Sequence, residues 1–538
     1  SQQEALNTWQ RVNKKAATLL ADKIKRYESI AEKSKLTIPD KKLERAFRWT
    51  KYNTDWLIRD VKGLGRGLSA GIPDYPWFFG ADNEYALRGA MAVGMKALTY
   101  STIALLDSVS QAVNNGNGRI IHEMSTNGAV FNPGNLNETP QYATLIWDVF
   151  RWTGDTLFLQ KYYPTAAAGM QWLLEENDKD GNLIADGYGM MEIHGLSSEM
   201  IDVASYTHAA FKDLAKMAEV LGLPAEAKGY EMNATRLAER INTTFWSEEF
   251  NSYADFIGTT DQALTLIEGA LIRADSLNKP WAVEELKNTQ KRIQNLPKNK
   301  KQPFVLYHNW VVNTPMEMNI APREKAIKAL NTGSRYVNPF GVFVTGIDRD
   351  KASESDEGGF AKKMKIFSYT GAVMTLPTGV QAIAENNYGR PDQALDYLTR
   401  MTSSFSYALP GSMYEVSPDF GMMAQAWNIY AYAVPIVTQF FGINPQTHLG
   451  IIEIDPLMPK AWHEAQLENV AVGEGSISLF YDRGENMEHI IINQNGQLNQ
   501  FIFRQENLQL VAGQVIEQAS GYVQLAGEKI EVKWPIQP

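Results

Sequence analysis

Four stretches of this sequence set carboxylates among aromatic residues and glycine, a combination suited to acid–base work on a sugar-sized ligand. They are DYPWFFGADNEYALRG at 74–89, NGRIIHEMSTNG at 117–128, DKDGNLIADGYGMMEIHGLSSEMIDVASY at 178–206 and SYALPGSMYEVSPDFGMMAQAWN at 406–428. In the third, Glu192 stands among Tyr188, Met190, Met191 and Ile193. Such apolar surroundings disfavour the ionised form and raise a carboxyl pKa, as a general acid requires. In the fourth, Glu415 lies between Tyr414 and Val416, ahead of Asp419, Gln425 and Trp427. Cleavage of a glycosidic bond needs two such groups: one protonates the leaving oxygen, and the other attacks the sugar or activates water. A separation of roughly 6.5 to 9.5 Å gives inversion and one near 5 Å retention.

The other candidates have two readings each. Asp82 precedes a helical run, where it serves either as an N-cap or as an acceptor for two sugar hydroxyls. Arg119, His122 and Glu123 form either a surface turn or part of a binding wall. Asp202 falls one helical turn beyond Glu199, so one helix face can carry both. Trp77, Phe79, Tyr142, Tyr188, Tyr414 and Trp427 are candidate sugar-binding rings, because the C–H faces of a pyranose pack on aromatic planes while its hydroxyls take the polar groups. With 13 Trp, 23 Tyr and 22 Phe in the chain, most rings are needed for the core, and only those on loops beside carboxylates bear on function.

The elements that must hold these loops are mainly helical. To about residue 442 the apolar positions recur at helical spacing, predicting helices over 4–34, 41–61, 82–113, 138–153, 155–177, 199–221, 224–246, 259–275, 281–295, 321–332, 370–388, 391–405 and 422–441. Short joins such as Thr153-Gly154-Asp155 and Tyr388-Gly389-Arg390-Pro391 alternate with long loops at 62–81, 114–137, 178–198, 333–368 and 406–421. Helical hairpins with tight turns at one end and functional loops at the other predict an (α/α)6 toroid. After Gly442 apolar and polar residues alternate between Gly, Asn and Asp turns, predicting a C-terminal β-sandwich. The expected organisation is a helical segment at 1–40, the toroid at 41–445 and the sandwich at 446–538.

Composition narrows the partners. The formal net charge of -10 in 538 residues argues against a phosphate backbone as ligand. No apolar run approaches the roughly 18 residues of a membrane helix. Zero cysteines exclude thiol chemistry, and seven histidines without His-Glu-x-x-His spacing predict neither a metal nor a cofactor. The chain opens on Ser1, as a processed or shortened polypeptide does, which favours an extracytoplasmic location.

The four loops also carry a family resemblance. PWFFGADNEYALRG resembles the Trp-Phe-Gly-Arg-Asp-Thr loop of glycogen-debranching amylo-α-1,6-glucosidases, within the six-hairpin glycosidases. GRIIHE is similar to their Gly-Arg-Ile-Pro segment, YGMMEIHG to their Thr-Trp-Met-Asp loop, and GSMYEVSPDFGMMAQAWN to the Ser-Glu loop that leads into Ala-Gln-Ala-Trp-Ser. The resemblance spans about residues 45–442 in order. It implies Glu192 as general acid, Glu415 as general base, inversion at the anomeric carbon, and an exo-acting enzyme on α-glucosidic bonds. It also implies that Trp77, Asp82 and Arg119 line the sugar subsite, with Asp202, Gln425 and Trp427 shaping its walls. Ala81, Asn83 and Glu192 replace the family's Arg, Thr and Asp, so the terminal subsite is altered and the sugar left open. The rivals are a six-hairpin phosphorylase, which needs no catalytic base and so no Glu415, a lyase acting on acidic sugars, and a noncatalytic glycan-binding protein.

Overall fold

Helix starts in this protein follow from their first residues. Ser1 and Glu4 form a capping box, the Asp40 carboxylate accepts from the amides of Lys42 and Leu43, and Asp155 accepts from that of Phe158. The computed structural model describes residues 1–191, 195–276, 278–345 and 372–536. Its helices are α1 (Gln2–Glu32), α2 (Lys41–Trp56), α3 (Gly80–Ala92), α4 (Lys96–Val113), α5 (Glu138–Thr153), α6 (Thr156–Asn177), α7 (Ile201–Val220), α8 (Pro224–Arg240), α9 (Thr260–Ser276), α10 (Pro280–Gln294), α11 (Thr314–Glu317), α12 (Arg323–Gly333), α13 (Thr375–Asn387), α14 (Pro391–Ser403) and α15 (Asn428–Ala433). None is long and apolar enough to cross a membrane, among the described residues.

Two kinds of helix alternate along the chain. α3, α5, α11, α13 and α15 are buried nearly all round and α7 over most of its length, whereas α4, α6, α8 and α14 bury one face and solvate the other. The first set packs in sequence, α3 on α5, α5 on α7, α7 on α11, α11 on α13 and α13 on α15, and α15 returns to α3. Close approach requires small residues at these contacts. A Cβ on Gly89 would lie 2.6 Å from the Ile429 carbonyl carbon, and one on Gly379 2.4 Å from the Ala431 side chain. The outer helices lean on this set, α4 on α3, α6 on α5, α8 on α7, α14 on α13 and α2 on α15, while α9 and α10 pack on each other.

Three helical expectations change. The run 82–113 is two helices, because Gly94 at φ 73° turns the chain between α3 and α4. The run 41–61 ends at Trp56 and continues as a strand, Ile58–Val61. The run 422–441 opens as a strand, Ala424–Gln425, followed by α15 and a π-helical stretch, Val434–Phe440.

From Ile443 the chain is β-rich, and its strands belong to one nine-stranded sheet among the described residues. The ninth strand, Lys35–Thr37, comes from the N-terminal segment and pairs antiparallel with residues 466–468. Alternate residues of Glu464–Val472 are buried, as a half-covered strand requires. The apolar core runs unbroken from helices to sheet, where Phe440 meets Trp462 edge-on at 5.1 Å.

Candidate active site

Backbone pairing gathers the loops at one end of the buried helices. Strand Gly71–Ile72 pairs antiparallel with Ala424–Gln425, which brings the loop before α3 to the loop before α15. Glycine is needed at position 71, since a Cβ there would come 2.2 Å from the Met422 side chain and 2.3 Å from Gln425 Oε1. Phe78–Phe79 pairs with Glu123–Met124, adding the second loop, and the Leu136 amide donates to the Tyr188 carbonyl at 3.0 Å, adding the third. The Glu415 amide donates to the Met422 carbonyl at 2.9 Å, which folds the fourth loop back on itself.

A cavity of about 590 Å³ lies between them. Eight of the residues singled out from sequence line it: Phe79, Asp82, His122, Glu123, Tyr414, Glu415, Gln425 and Trp427. Gln425 Nε2 donates to Asp82 Oδ1 at 2.8 Å, so Asp82 is held as an acceptor at the start of α3. No side-chain cap bond forms at the N-terminus of α3, which removes the N-cap reading of Asp82. His122 sets its ring edge-on to Phe79 and brings Nδ1 to 2.6 Å from Glu138 Oε1. Trp427 meets Trp310 edge-on at 5.6 Å and donates from Nε1 to Thr375 Oγ1 at 3.2 Å.

The cavity raises the proton affinity of Glu415. Burial, then the negative charges of Asp82 and Asp74, push its pKa up to about 8. Its Oε2 overlies Gly421, where a Cβ would come within 2.8 Å. Five carboxylates, those of Asp74, Asp82, Glu123, Glu415 and Asp419, line the cavity, and among the described residues no lysine or arginine does.

The remaining candidates stand elsewhere. Asp202 is fully buried in the first turn of α7 and accepts from the Met190 amide at 2.7 Å; burial raises its pKa to about 6. It meets the cavity through Met190, which lines it. Trp77 stacks on Phe131 at 5.3 Å outside the lining, and Tyr188 is 44% exposed on a strand. Arg119 lays its guanidinium 5.1 Å from the Trp172 ring centre and donates to the Gly134 carbonyl, in a separate surface groove. Tyr142 is buried in α5 with its hydroxyl donating to Asp107 at 3.1 Å. Arg119 and Tyr142, expected to bind substrate, lie outside the cavity lining. Glu192 lies outside the described residues.

Sequence reading passes over Asp74, Tyr75 and Trp310, which also line the cavity. The segment between α10 and α11 that carries Trp310 is as long as the loops that were selected, so its length alone was a usable signal.

With this geometry in hand, comparison with known proteins is informative. A family model described as the bacterial alpha-L-rhamnosidase 6 hairpin glycosidase domain matches residues 100–295. The alpha-L-rhamnosidase of Dictyoglumus thermophilum superposes with a TM-score of 0.59 at 12% identity, covering 93% of this chain and 50% of that one. The Streptomyces avermitilis alpha-L-rhamnosidase complexed with L-rhamnose gives 0.56 at 11% identity, covering 93% and 42%. A protein described as a kojibiose phosphorylase from human microbiome gives 0.56 at 12% identity, covering 99% and 68%. This chain spans half or less of the length of those two rhamnosidases. Its fold is that of the six-hairpin glycosidases. The neighbours named are rhamnosidases and a phosphorylase, so an α-glucosidic specificity rests on the sequence resemblance alone.

Proposed function

We propose that this chain is a glycoside hydrolase that removes a terminal sugar from an α-glycoside, with a six-hairpin (α/α)6 toroid as its frame. The single observation that carries the reading is the cavity in which Glu415, its proton affinity raised, faces Asp82 among aromatic walls. The return of α15 to α3 supports a closed ring. In this reading Glu415 is the general base that takes a proton from the attacking water, and Glu192 is the general acid that protonates the leaving oxygen, with inversion. Asp82, oriented by Gln425, accepts sugar hydroxyls, and the rings of Trp427, Trp310 and Phe79 take the apolar faces.

Glu415 in the lining favours water over phosphate as nucleophile, since a phosphorylase needs no catalytic base.

A specific feature bears on the sugar. Met190, Met374, Leu376 and Met422 line the cavity, and the methyl of a 6-deoxy sugar gains from such contact where a 6-hydroxyl would lose its hydrogen bonds to water. This supports an α-L-rhamnoside, in line with the family model, over the α-glucoside that the sequence resemblance implies. Aryl α-L-rhamnoside, α-glucoside and β-glycosides, assayed side by side with NMR of the first anomer released, decide both sugar and stereochemistry. Turnover that survives at parental rate in Glu415→Gln on a cleaved substrate would refute its catalytic role.

A further inference from the structure

Asp255 is completely buried, and its carboxylate does not line the cavity. It accepts from three successive amides, Leu306 at 2.6 Å, Tyr307 at 3.2 Å and His308 at 2.7 Å, and lies 2.7 Å from His308 Nδ1. Three amides turned toward one point need a sharp bend, and Tyr307 takes it with φ at 58°, in the left-handed region. The two carboxyl oxygens share these contacts; an asparagine in its place supplies one oxygen and turns two N–H donors toward the backbone amides. Three residues beyond Tyr307 stands Trp310, whose ring forms the cavity wall against Trp427.

The backbone of Asp255 reaches a second wall. Its amide donates to the Phe304 carbonyl at 2.8 Å, and its carbonyl accepts from the Ile201 amide at 3.1 Å, at the first residue of α7. The next residue of that helix, Asp202, holds the Met190 amide at 2.7 Å. One buried side chain thus stands at the root of both the Trp310 wall and the Met190 wall.

We propose that Asp255 is a positioning residue for this cavity: its carboxylate holds the bend at 306–308 and so sets the Trp310 ring against Trp427. Its bearing on catalysis rests on the cavity being the sugar site. Its bearing on Trp310 does not, and the two are separable.

The test is a double-mutant cycle of Asp255→Asn and Trp310→Phe, with His308→Ala as a milder third variant that keeps the three amide bonds. Near-ultraviolet circular dichroism of the unliganded proteins reads the Trp310–Trp427 pair directly. Trp310→Phe should change the wild-type spectrum, and should change that of Asp255→Asn far less, because the pair is already displaced there. On a cleaved glycoside, each single variant should raise KM by about tenfold with kcat changed by less than about threefold, and the double variant should match either single one rather than multiply them. His308→Ala should raise KM by about two- to threefold. A Trp310→Phe difference spectrum that is the same in both backgrounds, or KM effects that multiply, would show Asp255 to be a purely structural residue and overturn the proposal. If Asp255→Asn does not fold, the cycle is run with Asp255→Glu, whose longer side chain shifts the carboxylate off the three amides; a Trp310→Phe difference spectrum unchanged in that background would equally overturn it. If the parent cleaves no glycoside, the sugar reading fails while the spectroscopic cycle still decides the positioning role.

Discussion

The raised proton affinity of Glu415 makes the pH dependence of turnover the sharpest test of its role. A carboxyl with a pKa of about 8 is protonated in the empty site at neutral pH, whereas a general base must be ionised. If Glu415 is the base, kcat/KM follows its ionised fraction, which is about 3% at pH 6.5 and half at pH 8, a rise of about 16-fold. If it were the acid, the same group would give a falling limb centred near pH 8. Asp82 is the larger of the two charges that raise it, so Asp82→Asn should move the midpoint toward acid while leaving the limb's direction unchanged. The midpoint is read independently of the height of the profile, which Asp82→Asn also lowers if Asp82 binds the sugar. The assay is initial rates at low substrate from pH 5 to 9, with melting curves at each pH to exclude unfolding. A falling limb in the wild type refutes the base assignment. A midpoint that does not move in Asp82→Asn refutes the coupling across the cavity.

Glu415→Gln should lower kcat by about 10²- to 10⁴-fold, read on whichever aryl glycoside the parent cleaves. Its stability effect has a defined sign. Because the folded-state pKa lies above the ordinary 4.5, the contribution of wild-type Glu415 is fully present below about pH 4.5 and is lost as pH rises through about 8. The Tm of Glu415→Gln relative to wild type should therefore climb between pH 5 and 9, and a flat difference would count against burial of the charge. Gly71→Ala should destabilise by about 1 to 3 kcal/mol in denaturant titrations and cut activity with it, because the added methyl meets Met422 and Gln425 where two loops join. Inorganic phosphate should neither accelerate turnover nor yield a sugar phosphate; detection of that product by phosphorus NMR would favour a phosphorylase.

Much of the helical frame was legible because it depends on local patterns. Caps at Asp40 and Asp155, stops at Gly154 and Gly389, and apolar spacing place most helices to within a few residues. In one place a single residue overrode the pattern: Gly94 splits 82–113. α11 escaped notice because four buried residues carry too little periodicity to register. Glu415, Asp82, Gln425 and Trp427 stood out as candidates from their loops, and all four line the cavity.

What the chain's own order of residues determined is which segments become helices, which become loops, and which acids sit among rings. Only the tertiary structure decided that Arg119 and Tyr142 turn to local partners, that Trp310 joins the wall, and that Asp74 and Asp82 face Glu415. These outcomes depend on pairings between residues hundreds of positions apart, such as Gly71 with Gln425, and a proton affinity is set by the charges and burial that those pairings create.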